Sequence, residues 1–204
     1  MDETALIHSA QNGDLDAFNT LILHYQDSVF HTALRVIGDE DLAQDAAQEA
    51  FISAFRNISA FRGGSFKAWL MRMVTNACYD EFRRQKRRPT TPLEPDAKQA
   101  DGEEMESPRW LADPNMTPAE RSEADELEHA IQHCLDALPT DFRTVVVLAD
   151  IQGMDYSEVA AASKVPLGTV KSRIARARLR LRECLRGFEE LLPSSFRLQE
   201  EGNS

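Results

Sequence analysis

Apolar residues recur every three or four positions along nearly the whole chain, and no segment shows the period-two alternation of a strand. A repeat of three or four places apolar side chains on one face of an α-helix. The N-terminal part contains three such stripes: Leu15, Phe18, Ile22, Tyr25 and Val29; Leu42, Ala46, Ala50, Ala54 and Ile58; and Phe66, Trp69, Leu70, Met73 and Ala77. The sequence therefore predicts an all-α fold that begins with a helical bundle.

Glycines and prolines divide the chain into segments. Gly38 and the adjacent Gly63 and Gly64 predict breaks between the N-terminal helices, and Ser65 is placed to cap the helix that follows. After Pro89, five further prolines and most of an acidic block extend to Pro118, which is typical of a linker. We expect a helical bundle over residues 1–88, a flexible acidic linker over 89–118, a second helical domain over 119–190 and a tail over 191–204.

The second domain is predicted to hold four helices, over about residues 119–138, 141–151, 157–163 and 168–188. Val145 to Val147 are β-branched, but the spacing of Phe142, Val146 and Ala149 is helical, so we assign this run to a helix. Pro166 and its neighbours mark a sharp connection between the last two helices. A short helix, a tight turn and a longer helix are typical of a helix-turn-helix DNA-binding domain.

The formal net charge of −11 conceals two basic segments. Residues 51–89 carry nine Lys and Arg against two Asp and Glu, and residues 164–186 carry eight against one. Two basic segments predict two contacts with nucleic acid, while the acidic segments predict a separate partner. Because the acidic linker is tethered to both basic segments, we also expect it to mask them in the free protein.

The last helix has one apolar stripe, formed by Val170, Ile174, Ala177 and Leu181, and cations on both flanks of the opposite surface. Small residues at the centre of that surface would let the helix approach base edges, while long cations reach phosphates. A solvated basic helix is the alternative, and the preceding turn and short helix favour the DNA reader.

These segments resemble bacterial sigma factors of the extracytoplasmic-function group, over about residues 10–88 and 119–188. In the N-terminal half the resemblance rests on Asp45-x-x-Gln48-Glu49-x-Phe51 and on Phe66-x-x-Trp69-Leu70 followed by Asn76, Asp80 and Arg83-Arg84. In the C-terminal half it rests on Tyr156-Ser157-Glu158-Val159-Ala160 and on the run from Val165 to Arg173. Lys164 stands where the family often has glycine, so it must take a positive φ or adjust the turn.

The resemblance implies a subunit that binds core RNA polymerase and reads the minus-35 and minus-10 promoter elements in a stress or envelope response, with no catalytic residues and no cofactor. It implies contact with the minus-35 element by Thr169, Lys171, Ser172, Arg173 and Arg176. It implies contact with the minus-10 element by Phe61, Arg62, Ser65, Phe66, Asn76, Arg83, Arg84, Arg87 and Arg88. From the residues alone, Phe61, Phe66 and Trp69 are equally explained as core, and we favour core for Trp69.

The implied partners are promoter DNA and core RNA polymerase, through the clamp of its largest subunit and the flap of its second largest. Asp45, Gln48, Glu49 and Phe51 would dock on the clamp. An anti-sigma factor is left open as a further partner. From the residues alone, a stand-alone helix-turn-helix regulator with an N-terminal sensor or dimerisation bundle remains the main alternative. A module that binds proteins alone is disfavoured by the two basic segments.

Other function classes lack support in the sequence. His129, His133 and Cys134 could start a zinc site, but no further ligands lie nearby, and we assign no metal. We find no phosphate-binding loop and no catalytic triad motif. No apolar run is long enough to cross a bilayer, and the N-terminus lacks the basic residues of a secretion signal, so we expect a cytoplasmic protein with all three cysteines reduced.

Overall fold

The computed structural model describes residues 2–87 and 117–192, without the side chains of residues 118–120. Within these ranges the helices are α1 (Glu3–Gln11), α2 (Leu15–Ile37), α3 (Glu40–Asn57), α4 (Phe66–Arg87), α5 (Pro118–Asp136), α6 (Thr140–Val146), α7 (Tyr156–Ser163) and α8 (Leu167–Leu185), with short 3₁₀ segments at Ile58–Ala60 and Arg186–Leu191 and a π-helical turn at Val147–Ile151. The predicted all-α fold is confirmed. Almost all of the predicted linker, including the acidic residues expected to mask the basic segments, lies outside the described residues.

The helix ends of the N-terminal bundle, residues 2–87, follow the predicted breaks. Gly38 ends α2 in the left-handed conformation, with φ of 83°. The Asp39 carboxylate then caps α3 by accepting a hydrogen bond from the Leu42 N–H at 2.9 Å. The Ser65 hydroxyl oxygen accepts from the Ala68 N–H at 3.0 Å, which confirms the predicted cap of α4.

Helix α1 has no counterpart among the predicted helices. The Tyr25 hydroxyl of α2 donates a hydrogen bond to the carboxylate of Glu3. At the other end of α1, the Gln11 side-chain amide donates to the carbonyls of Ile58 (3.1 Å) and Phe61 (2.8 Å). Helix α1 therefore fixes the turn that leads into the double-glycine loop.

The buried stripes follow the predicted periodicity, with local shifts. In α2, Leu21 is fully buried whereas its predicted neighbour Ile22 is only half-buried, and Leu15 at the first turn is 57% exposed. Helix ends lack neighbours on one side, which is why the stripe fails at Leu15. The predicted stripe residues that are buried are Phe18, Val29, Ala46, Ala50, Ala54, Ile58, Phe66, Leu70, Val170, Ile174 and Ala177.

The run from Val145 to Val147 is helical and buried, as its spacing predicts. The helix widens after Val146, where the Gln152 N–H donates to the Val147 carbonyl, five residues earlier. Such π-helical turns often occur at functional sites. Here the turn places the Gln152 carbonyl beside the N-terminal bundle, where Lys67 Nζ donates a hydrogen bond to it at 2.6 Å.

The N-terminal bundle packs directly against the C-terminal bundle, residues 117–192. Helix α2 contacts α5, α6 and the π-helical turn, α4 contacts α7, and buried residues of both bundles form one connected apolar cluster. Arg35 of α2 donates to Glu128 (2.9 Å) and Gln132 (3.1 Å) of α5. A Cβ atom added at Gly38 would lie 2.6 Å from the Asp136 carboxylate, so glycine also permits this close approach.

Arg143 of α6 connects the bundles from the interior. It is 7% exposed and donates to the Val36 carbonyl of α2 at 2.9 Å. It also donates to the carboxylate and to the backbone carbonyl of Asp136, both at 2.7 Å. Burial lowers the pKa of Arg143, and the Asp136 carboxylate opposes that shift.

The structure corrects the prediction that all cysteines are reduced. Cys134 of α5 and Cys184 of α8 form a disulfide, with their Cα atoms 5.7 Å apart. The pairing depends on α5 packing beside α8, which a separation of 50 residues in sequence does not reveal. Cys134 is consequently not available as a zinc ligand, and the His133 ring lies against the ring of Phe188, with centroids 5.7 Å apart.

Candidate nucleic-acid interface and docking surfaces

Helices α7 and α8 form the predicted helix-turn-helix. Asp155 and Glu158 form a capping box at the start of α7, each carboxylate accepting from the other residue's backbone N–H. Lys164 ends α7 in the left-handed conformation, with φ of 56° and ψ of 39°. Of the two options that the sequence left for Lys164, the positive φ is the one adopted, at a cost of roughly 1–3 kcal/mol.

The N-terminal half of α8 presents the residues predicted to contact the minus-35 element. Lys171, Ser172 and Arg176 are exposed, and Thr169 and Arg173 are half-buried. The Ser172 hydroxyl donates to the Thr169 carbonyl at 3.0 Å, which keeps this small side chain close to the helix. The side chain of Arg176 makes no ion pair or hydrogen bond with another residue that the structure describes. Since the opposite stripe is buried, this is the face of α8 that would enter a major groove.

Two arginines of α8 are held by acidic residues of the same bundle. Arg173 donates to Asp141 of α6 at 2.6 Å, and its side chain is 21% exposed. Tyr79 of α4 makes a long hydrogen bond, 3.4 Å, to the other oxygen of Asp141. Arg178, on the opposite flank of α8, donates to Asp150 at 2.6 Å. Arg173 must therefore leave Asp141 before it can contact DNA.

The aromatic residues beside the double-glycine loop, which are predicted to contact the minus-10 element, are packed in the core of the N-terminal bundle. Phe66 is fully buried and Phe61 is 7% exposed. Their rings pack edge to face, 5.5 Å apart, and each lies 5.4 Å from the half-buried ring of Trp69. Arg62 is exposed and Ser65 serves as the cap of α4. The loop thus offers polar side chains, with the aromatic cluster beneath it.

The arginines at the end of α4 do not share one face. Arg83 and Asn76 line a groove between the bundles, and Arg83 is paired with Asp80 of the same helix at 2.7 Å. Arg84 is paired with Glu81 at 2.8 Å and lines a groove on the side of α3. Arg87 is exposed at the last position of α4, and Arg88 lies outside the described residues.

The groove between the bundles brings residues of the two predicted DNA-reading surfaces together. Asn76 and Arg83 of α4 line it on one side, and Lys164 and Arg173 line it on the other, around a volume of about 600 Å³. Asp141 also lines the groove. The two surfaces are therefore adjacent and share one narrow space.

The predicted docking residues lie on α3, away from this groove. Asp45, Gln48 and Glu49 are exposed and line a depression between α3 and α4, as expected from their position opposite the buried alanines. Phe51 is half-buried and lies in a second, apolar depression between α2 and α3, which Gln48 borders as well. The four residues therefore span both sides of α3.

Comparison with known proteins places these features in one family. The chain matches the family Sigma-70 region 2 over residues 21–88 and the family Sigma-70, region 4 over residues 128–181. It is 37% identical over 174 residues to the RNA polymerase sigma-H factor of Pseudomonas aeruginosa, covering 85% of this chain and 88% of that protein. A second relative, at 35% identity, is named an ECF RNA polymerase sigma factor. The chain belongs to these extracytoplasmic-function (ECF) sigma factors.

This sigma factor is also 35% identical over 179 residues to the ECF RNA polymerase sigma-E factor of Escherichia coli, covering 87% of this chain and 91% of that protein. Its fold is shared with the sigma factor RpoE of Bartonella quintana, solved with the anti-sigma factor NepR, at a TM-score of 0.64 and 23% identity over 84% of this chain and 98% of that chain. CnrH, solved with the cytosolic domain of CnrY, gives a TM-score of 0.61 at 25% identity over 90% of this chain and 96% of that chain.

The family settles the general function. The protein is a promoter-directing sigma factor: it binds core RNA polymerase and DNA and directs the initiation of transcription. The alternative of a stand-alone helix-turn-helix regulator is not favoured, because both sigma domains match in their order along the chain. Within the described residues, no helix has the length and apolarity needed to cross a bilayer.

Proposed function

We propose that this sigma factor acts in the cytoplasm, without catalytic residues or a cofactor of its own, and reads the minus-35 element with the N-terminal half of α8. The proposed contacts are Thr169, Lys171, Ser172, Arg173 and Arg176. A surface of small residues and cations, opposite the buried Val170, Ile174 and Ala177, supports this assignment, because such a helix can reach base edges and phosphates together. Along the sequence, the minus-10 domain is assigned to residues 1–88 and the minus-35 domain to residues 119–190, with the linker 89–118 between them.

The minus-10 element is assigned to α4 and the loop before it. Arg62 and Ser65 lie on the exposed side of the loop, and Asn76 and Arg83 continue this surface along α4. Phe61 and Phe66 support the loop from the core and fix its position, so their role is indirect. Arg87 is assigned to phosphates at the exposed end of α4, and Arg88 is assigned to phosphates from its sequence position alone, whereas Arg84 lies closer to the docking residues.

The exposed face of α3 is assigned to core polymerase. Asp45, Gln48 and Glu49 offer hydrogen-bond acceptors and negative charge to the clamp of the largest subunit, and Phe51 offers apolar surface in the adjacent depression. The C-terminal bundle is assigned to the flap of the second largest subunit. Because the related fold of RpoE was solved with the anti-sigma factor NepR, we include an anti-sigma factor among the proposed partners of this chain.

The main observation behind the proposal is a single groove lined both by Arg83, which is assigned to the minus-10 element, and by Arg173, which is assigned to the minus-35 element. The centres of the two promoter elements are about 25 base pairs apart, or about 85 Å at about 3.4 Å per base pair. A protein that reads both elements must therefore separate its bundles. The 29 residues from 88 to 116 can span at most about 100 Å, which is sufficient. We therefore assign the described conformation to the free protein and an open one to the promoter complex.

The test is transcription by core RNA polymerase reconstituted with the full-length sigma factor. Arg176→Ala is expected to reduce initiation selectively at promoters with the preferred minus-35 element, by a factor of roughly 5–150, because a base contact is worth about 1–3 kcal/mol. Arg182→Ala, at an exposed position towards the other end of α8, is the matched control and should affect all promoters alike. Equal losses for Arg176→Ala across shuffled minus-35 sequences would assign Arg176 to a phosphate instead.

A further inference from the structure

We propose that Cys134 and Cys184 form a reversible redox modification site, a thiol pair that hydroperoxides oxidise to a disulfide and that dithiol reductants reopen, and that the disulfide favours the closed arrangement of the two bundles. The proposal rests on the proposed function, since it concerns whether the bundles can separate. Disulfides of cytosolic proteins are usually transient and either catalytic or redox-sensing, because thioredoxin and glutathione keep thiols reduced.

Helix α5 lies between α2 and α8 and contacts them with opposite faces. Glu128, Gln132 and Asp136 follow one another at intervals of four and face the end of α2, where Glu128 and Gln132 bind Arg35. Cys134 is two positions from Gln132 and from Asp136, about 200° around the helix, and therefore lies on the other face. The disulfide fixes this second face to α8.

The same bond acts on the helix that reads DNA. Cys184 lies eight residues after Arg176, about 12 Å along α8 at about 1.5 Å per residue. The N-terminal half of α8 meets the other bundle through Arg173, Asp141 and Tyr79. The disulfide thus joins α5 to the C-terminal end of α8, the helix whose N-terminal half lines the groove beside α4.

The accessibility of the two sulfurs suggests an order of events. Cys134 is 1% exposed, whereas Cys184 is half-buried, so the Cys184 thiolate is the group that meets the oxidant. Its sulfur attacks the peroxide, forming an S–O bond and breaking the O–O bond, and the other oxygen leaves as alcohol or water after taking a proton. The Cys134 sulfur then attacks the sulfenic sulfur, gives up its proton, and water leaves.

In the balance of this reaction, two thiols and one hydroperoxide yield a disulfide, one alcohol or water from the peroxide, and one further water. A dithiol reductant returns two electrons and two protons and is itself oxidised to a disulfide. Cys78 is buried in the N-terminal bundle, and burial raises the pKa of its thiol to about 12. It is therefore the matched cysteine that should not respond.

The disulfide affects the closed arrangement through conformational entropy. With the disulfide in place, α5 is held against α8 before it meets α2, so less freedom is lost when Glu128 and Gln132 bind Arg35. With two thiols, α5 is held against α8 by packing alone, so we expect a larger range of positions that closing the bundles has to restrict. The oxidised protein should therefore be more often closed, and the reduced protein should more often expose its DNA-reading and docking surfaces.

The experiment compares full-length protein treated with hydrogen peroxide and with dithiothreitol. Non-reducing mass spectrometry identifies the bond, small-angle X-ray scattering reports compactness, and a titration gives the affinity for core RNA polymerase. The oxidised protein is expected to contain the Cys134–Cys184 bond, to be more compact, and to bind core about fivefold or more weakly. Cys78→Ala should respond like the wild type, whereas Cys134→Ser with Cys184→Ser should not respond to peroxide.

Equal compactness and equal core affinity of oxidised and reduced wild type would overturn the proposal, as would a double variant that still responds to peroxide. Transcription by the reduced protein separates this outcome from failure of the proposed function. If reduced protein with core initiates at promoters and oxidation changes nothing, the redox site alone is refuted. If reduced protein does not direct initiation at any promoter, the proposed function is refuted too.

Discussion

Replacing Arg35 by methionine should open the free protein. Arg35 lies in α2, and the hydrogen bonds of its guanidinium to Glu128 (2.9 Å) and Gln132 (3.1 Å) both cross between the bundles. Methionine retains most of the apolar stem and removes the charge, so packing within α2 changes little. The substitution therefore acts mainly on the equilibrium between the closed and open arrangements.

The size of the effect follows from the exposure of the pair. The Arg35 side chain is 14% exposed and that of Glu128 is 26% exposed, so the pair lies between a fully buried and a surface ion pair. Hydrogen bonds to charged groups contribute about 1.5–3 kcal/mol when buried, and exposed ion pairs about 0–1 kcal/mol. We expect about 1–2 kcal/mol for the two contacts together. At about 1.4 kcal/mol per factor of ten, the open fraction should rise roughly 5- to 30-fold.

The assay is small-angle X-ray scattering of the reduced full-length protein, with core affinity as a second readout. Arg35→Met should increase the radius of gyration and should strengthen core binding by up to the same factor, because the competent fraction sets the apparent affinity. Arg56→Met, which removes an exposed charge at the end of α3, is the control. A variant as compact as wild type, with unchanged core affinity, would show that these contacts do not hold the bundles together.

Three further substitutions probe the other assigned surfaces. Asp141→Asn should strengthen binding to the minus-35 element several-fold, because Arg173 no longer has to leave a carboxylate at 2.6 Å; a gel-shift titration of the reconstituted holoenzyme measures it. Reversing the charges of Asp45 and Glu49 should weaken core binding without changing the melting temperature, since both are exposed. The pKa of His31 is lowered by burial and then by Arg35, so the neutral form is favoured in the folded state. The free energy of unfolding should therefore fall as the pH drops below about 6.5, and His31→Gln should reduce that slope in pH-dependent denaturation.

The substitutions at Asp141 and at Asp45 with Glu49 each have a matched control. Asp150→Asn releases Arg178 on the opposite flank of α8 and should raise affinity for all sequences alike, without preference for the minus-35 element. Charge reversal at Asp41, exposed in the first turn of α3, should leave core binding largely intact. An unchanged pH slope in His31→Gln would mean that other groups carry the acid sensitivity. A lower melting temperature of the Asp45 and Glu49 variant would show that these residues stabilise the fold.

The sequence predicts the elements whose cause is local. A long stripe such as that of α8 needs only its own residues, and Val170, Ile174 and Ala177 are buried as expected. Lys164 takes a positive φ because the turn between α7 and α8 demands it, and the residues around it show that turn. Asp45 and Glu49 are exposed because they lie opposite the alanine stripe of α3.

The features that the sequence does not predict depend on contacts between distant segments. Phe61 and Phe66 border a double-glycine loop, and the sequence alone does not distinguish packing of their rings in the core from contact with DNA. The outcome depends on α1, because Gln11 holds the Phe61 carbonyl and so fixes the turn. Arg143 and the disulfide likewise owe their roles to the packing of α5 and α6 against α2 and α8.

The charges around α8 connect the closed structure with promoter selection. Arg173 and Arg178, on opposite flanks, are each bound to a carboxylate of their own bundle at 2.6 Å. A DNA phosphate that binds either arginine must replace that carboxylate. The free energy gained per contact is therefore only the difference between the arginine–phosphate and the arginine–carboxylate ion pair. Nonspecific DNA, which offers phosphates alone, gains little from this exchange. A preferred minus-35 element adds base contacts from Arg176, which has no such competitor among the described residues. The acidic neighbours of α8 should therefore lower specific and nonspecific affinity by similar factors, so that the base contacts of Arg176 set the ratio between them, and Asp150→Asn should raise both affinities without changing that ratio.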